Sequence, residues 1–138
     1  MAINQLSIFV ENKQGALAEI TELLGSNGVD ISALSLADTQ DFGILRLIVN
    51  DVETAKDVLK ENNCVVSITK VVGIKIPDYP GALAKIAKIL SLNGINLDYM
   101  YAFITGCVVL KVEDYEAVEK LLSDNGIELI TEEDVKNI

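Results

Sequence analysis

Two turns in this chain carry the residues best suited to hold a small charged molecule. One reads Val10-Glu11-Asn12-Lys13-Gln14-Gly15-Ala16-Leu17, the other Ile76-Pro77-Asp78-Tyr79-Pro80-Gly81-Ala82-Leu83. In each, an apolar strand-like run gives way to a glycine and then to helical spacing. A glycine there lets the backbone turn sharply and leaves no side chain over the unpaired amides of a helix start. Those amides, aided by the helix dipole, attract an anionic group such as a carboxylate. Three residues before the glycine stands a short polar side chain, Asn12 or Asp78, and fifteen after it stands another, Asp30 or Asn96. A carboxylate receptor beside an acceptor for an ammonium group suits a free amino acid. The same residues also fit a plain structural role, in which Gly15 and Gly81 turn the chain while Asn12 and Asp78 cap helices.

The turns come in two copies because the chain is a duplication. The segment Gly15 to Gly28 returns as Gly81 to Gly94, displaced by 66 residues, with eight of fourteen positions identical. A repeat of this length is one folding unit used twice. In 138 residues it predicts two small modules, 1–68 and 69–138, each marginal alone and expected to pack together.

The elements that must position the turns follow from periodicity. Leu6, Ile8 and Val10 share one parity of a strand over Ile3 to Val10. Leu17, Ile20, Leu23 and Leu24 then space a helix that ends at Asn27-Gly28. Strands over Ile31 to Ala37 and Gly43 to Val49, a helix through Val52, Ala55, Val58 and Leu59, and a strand over Cys64 to Ile68 complete β-α-β-β-α-β, the ferredoxin-like order. The second copy repeats it, with a strand over Lys70 to Ile76 and a helix from about Gly81 to Leu92. A hairpin over Leu97 to Ile104 and Cys107 to Val112, a helix over Tyr115 to Ser123 and a strand over Ile127 to Ile130 follow. Cys64 to Ile76 is nearly one apolar run, so the last strand of one copy is expected to flow into the first of the next. The acidic tail is expected to make one helical turn. The fold class is thus α+β: two ferredoxin-like βαββαβ modules with antiparallel sheets and helices on one face.

Composition removes several functions. The net charge is −10 with a single arginine, Arg46, and no histidine. An acidic chain without a basic cluster is poorly matched to nucleic acid or an anionic membrane. Without histidine the serines and threonines lack their usual activating base, so no catalytic residue is assigned. No metal site or cofactor is expected either, since Cys64 and Cys107 lie far apart and read as packing thiols. Arg46 sits in a central strand, suited to a sheet edge or salt bridge. Tyr99, Tyr101 and Phe103 share one strand parity where the first copy has Ala33, Ser35 and Ala37. In an acidic chain they fit sheet packing or an oligomer interface better than base stacking. No leader or membrane-length apolar stretch is visible, and a cytoplasmic location is expected.

The pattern polar-x-Pro-Gly-x-Leu-x-x-Ile, a helix ending at Asn-Gly, and then Asn-Ile at the next strand resembles the ACT domain family. The resemblance covers the whole chain as two tandem copies. It implies a regulatory module that binds amino acids or related small metabolites, usually where two such domains meet. In serine-binding members the asparagine three before the glycine and the one heading the second strand contact ligand; here those positions are Asn12 and Asp30, and Asp78 and Asn96. The candidate ligand-binding set is Asn12, Gln14, Gly15, Ala16, Leu17 and Asp30 in copy one, and Asp78, Pro80, Gly81, Ala82, Leu83 and Asn96 in copy two. Two departures bear on the ligand: Gln14 replaces the usual proline, and Asp replaces Asn once in each copy.

Within each copy the polar pairs are Asn12 with Asp30 and Asp78 with Asn96. Across a pseudo-twofold they become Asn12 with Asn96 and Asp78 with Asp30, one neutral and one doubly acidic. The resemblance favours the second arrangement and one dominant site. It implies a non-catalytic amino-acid sensor, a homodimer, with a regulated enzyme as a possible partner. The alternatives are a permanent regulatory subunit of an amino-acid biosynthetic enzyme, such as one like acetolactate synthase, and an interaction module with vestigial pockets.

Overall fold

A computed structural model describes residues 2–11, 13–38, 42–103 and 106–137. The chain divides into two compact units. One holds Asn4–Thr69 with Val135–Ile138, the other Met1–Ile3 with Lys70–Asp134. The first unit is built from β1 (Ile3–Glu11), α1 (Ala16–Ser26), β2 (Ile31–Asp38), β3 (Phe42–Val49), α2 (Val52–Glu61) and the start of β4 (Val66–Lys75). The second takes the rest of β4, α3 (Ala82–Leu92), β5 (Tyr99–Phe103), β6 (Cys107–Lys111), α4 (Tyr115–Asp124) and β7 (Leu129–Ile130). The short α5 (Glu132–Lys136) closes the chain as the expected turn.

The strand order is β2-β3-β1-β4 in the first unit and β7-β4-β6-β5 in the second. This is the ferredoxin-like arrangement, reached twice. The two strands expected over Cys64 to Ile68 and Lys70 to Ile76 are a single strand, β4, because no residue between them forces a turn. The expected boundary between residues 68 and 69 falls inside it. The last strand is shorter than expected, only Leu129–Ile130.

One face of each sheet is covered by the unit's two longer helices. In the first unit Leu6, Ile8 and Val10 of β1 meet Leu45, Leu47 and Val49 of β3 and, from the helices, Ile20, Leu24, Ala55 and Leu59. In the second, Val72, Ile74 and Leu110 meet Ile86, Leu90, Val118 and Leu122. The stripe of α1 differs from the one expected. Ala16, Ile20 and Leu24, spaced by four, are buried, whereas Leu17 is 39% exposed on the flank facing β2. In β5, Phe103 is buried, and half-buried Tyr99 and Tyr101 stack at 6.4 Å between ring centres. Both cysteines are free; Cys107 is buried and Cys64 half-buried. Desolvation pushes the Cys107 thiol pKa up.

Gly25 lies in α1 with no atom within 4 Å of where a Cβ would sit. Gly25→Ala is therefore expected to raise the urea midpoint, at the lower end of about 0.5–1 kcal/mol because the site is near the helix end.

The second helix of each copy is capped by its own aspartate. Asp51 accepts the Thr54 amide at 3.1 Å and its hydroxyl at 2.7 Å, and Asp114 accepts the Ala117 amide at 3.1 Å. The Thr54 hydroxyl first, then its amide, holds the Asp51 carboxyl below its ordinary value, and Lys136 of α5 adds attraction. With the folded pKa depressed, this stabilisation is complete above the unfolded value of about 3.9 and is lost as pH falls through the folded one. Asp51→Ala should lose roughly 1 kcal/mol at neutral pH. Asp51→Asn should keep most of the cap while flattening the decline below about pH 4 in acid-titrated melts.

Candidate ligand site at the glycine turns

The turn between β1 and α1 ends on Gly15 at φ 88°, and the equivalent turn on Gly81 at φ 89°. Both lie in the left-handed region, where a Cβ is strained. An added Cβ at either would meet nothing within 4 Å, so conformation rather than crowding requires glycine. The hydrogen-bond skeleton is also shared. Lys13 donates its amide to the Glu11 carbonyl at 2.8 Å as Tyr79 does to Pro77 at 3.0 Å, and the Glu19 and Lys85 amides each reach their glycine carbonyl at 3.0 Å. Gln14 in place of Pro80 therefore leaves the turn unchanged.

Among the described residues, no side chain caps α1 or α3. Asp78 is exposed and does not cap α3, so that part of the plain structural role fails in the second copy. Asn12 lies outside the described residues. The contrast with α2 and α4 is chemical: aspartates satisfy amides at those helix starts. Behind Gly15 and Gly81 the Ala16 and Ala82 amides turn back to the Lys13 and Tyr79 carbonyls at 3.4 and 3.2 Å, and the amides that follow them face out uncapped among the described residues.

Around the first turn, Gln14 and Gly15 are exposed, Ala16 is buried beneath them, and Leu17 stands on the β2 side. Around the second, Pro80 and Gly81 are exposed, Ala82 is buried and Leu83 is exposed. Two hollows flank the first turn. The one toward β2, about 250 Å³, is lined by Val10, Glu11, Lys13, Ala16, Leu17, Leu36 and Gly43. The one toward the start of β4, about 490 Å³, adds the side chains of Phe9, Phe42, Ile20, Cys64 and Val65, with Glu19 and Asn63.

The strand-head residues are elsewhere. Asp30 follows α1, whose eleven residues span about 16 Å, and so stands at the opposite end of the unit from Gly15. Its amide donates to Asn50 Oδ1 at 2.8 Å, and its carbonyl accepts the Asn50 amide at 3.1 Å. Asn96 is likewise separated from Asp78 by α3 and lines a hollow of about 380 Å³ at that helix's far end. The fold therefore brings Gln14 to Leu17 together, and Pro80 to Leu83 together, but joins neither turn to its own strand head. In the second copy the whole of α3 thus stands between Asp78 and Asn96.

Gly15→Val is expected to cost about 1–2 kcal/mol in denaturant melts, from left-handed strain alone. Gly15→Asn should cost less, since asparagine tolerates that region.

Phe9, Phe42, Cys64 and Val65 were not foreseen as lining a site. Phe9 did carry a signal: it is a large apolar residue on the polar parity of a strand whose core residues are Leu6, Ile8 and Val10.

A βαββαβ unit used twice, each copy opening its first helix on a glycine turn, defines a tandem ferredoxin-like protein. The chain belongs to the ACT domain pair family, whose model matches residues 1–138. This pair is a regulatory rather than a catalytic domain type. The chain is similar to a solved protein from Bacteroides thetaiotaomicron, with 41% identity, a TM-score of 0.94, and 100% of this chain and 98% of that one covered. It also resembles the regulatory subunit of aspartate kinase from Thermus thermophilus (14% identity, TM-score 0.60, 88% and 91% covered). The Thermus flavus subunit gives 16% identity, a TM-score of 0.57, and 88% and 90% covered. At these last identities the likeness is one of fold. No match is found among curated protein sequences. Among the described residues, no helix is long and apolar enough to cross a membrane, and no cluster of three potential metal ligands occurs.

Proposed function

We propose that this protein is a non-catalytic regulator that binds a free amino acid, or a related small carboxylate, at its β1-α1 turns. The observation that supports this most is the glycine-led helix start in both copies, without a side-chain cap among the described residues, set against aspartate caps on the other two helices. The two hollows beside the first turn support binding in that copy. A strand-head residue such as Asp30 or Asn96 contributes to a turn only when it comes from another module, in keeping with ligand binding where two ACT domains meet. Binding then favours one association state by its difference in affinity. A homodimer in the cytoplasm, acting on an enzyme of amino-acid synthesis, is the setting that fits.

A thermal-shift screen of the twenty amino acids and their keto acids tests the reading. A ligand at about 100 times its Kd stabilises by about 2.7 kcal/mol, several degrees in a chain of this size. No shift with any of them at about 10 mM, above the weak end of sensor affinities, would sink it.

A further inference from the structure

The larger hollow beside the first turn has a composition that the turn alone does not explain. Phe9 is 49% exposed, Phe42 43% and Val65 63%. The two phenylalanines, from different strands, meet edge to face at 5.7 Å between ring centres. They are two of only three phenylalanines in the chain. Large apolar side chains left half in water at a concave site mark a surface that something covers. The charged residues there are of both signs: Lys13 and Glu11 stand 3.7 Å apart, and Glu19 follows on α1. A zwitterionic head group complements such a set, with its carboxylate toward Lys13 and its ammonium toward the glutamates. A volume of about 490 Å³ accommodates one small molecule with a bulky side chain.

We infer that this hollow is a binding site for an α-amino acid with a bulky apolar side chain, of the leucine or phenylalanine kind, seated on Phe9, Phe42 and Val65. The inference rests on the amino-acid reading above and adds both the side-chain class and the flank of α1 on which it binds. The charged head separates amino acids from plain hydrophobes, and the aromatic floor separates apolar from polar side chains.

Cys64 lines this hollow, and Cys107 is buried in the other unit, so the protein carries its own footprinting probe and control. Iodoacetamide labelling of the full chain, resolved by peptide mass, should slow at Cys64 about tenfold in leucine or phenylalanine at ten times Kd, since about a tenth of the sites stay open. Serine, aspartate and the keto acid of leucine should leave the rate unchanged. Phe42→Ala and, independently, Val65→Ser should each weaken leucine binding about tenfold. Thermal shifts are read in parallel. Stabilisation by a polar amino acid without Cys64 protection overturns this inference and spares the broader one. Stabilisation by leucine with Cys64 unprotected, or with both variants binding normally, overturns it too. No shift with any amino acid removes both.

Discussion

Replacing Gly73 by valine is expected to destabilise the protein by about 2–3 kcal/mol, lowering the melting temperature by several degrees. Gly73 sits in β4 with Val109 paired on one side and Ile130 on the other. A Cβ there would run into Ile3 Cδ1 and stand 3.1 Å from Ile130 Cβ. Ordinary cross-strand Cβ atoms are about 4.5–5.5 Å apart, so β7 approaches β4 in a way only glycine permits. The two contacts differ in kind. Ile3 Cδ1 ends a flexible side chain and can swing aside, whereas Ile130 Cβ moves only with its backbone. Ile3→Ala in the Gly73→Val background should therefore recover part of the loss and leave the rest. Full recovery in urea titrations would show that the Ile130 contact is not limiting.

Leu47→Ala is expected to cost more, about 2–5 kcal/mol, because Leu47 is wholly buried between β1 and the helices and its removal leaves a cavity. Its register partners are Leu6 on β1 and Leu34 on β2. Leu34 lies on the same face yet is 53% exposed, at the sheet edge beyond the helices' cover. Leu34→Ala should therefore stay within about 0.5 kcal/mol of the parent. Equal losses at the two positions in chemical denaturation would mean that β2 is covered in solution.

That pair also shows where sequence reading stops. Alternation identified Leu6, Ile8 and Val10 as the inward parity of β1, and helical spacing found all four longer helices, because these signals are local. The continuity of β4 was legible for the same reason, since nothing between Cys64 and Ile76 ends a strand. Periodicity assigns a residue to a face but does not say how far along that face the helices reach. Leu17, Leu34 and Leu36 look like core and stand in the open. The glycine turns were legible as turns, while the left-handed φ of Gly15 and Gly81 came from the structure. The separation of each turn from its own strand head follows from placing a whole helix between them, which spacing in sequence conceals. The apolar floor was harder still, because Phe9 and Phe42 are neighbours only through the β1-β3 register.

A duplicated gene usually leaves its copies free to be parted, shuffled or lost one at a time. Here the junction is not a tether but the middle of β4, a strand whose first residues belong to one unit and whose last belong to the other. The chain ends are exchanged as well, with Ile3 counted in the second unit and Val135 in the first. A cut between residues 69 and 70 therefore severs one strand and leaves each piece without the chain end that the other holds.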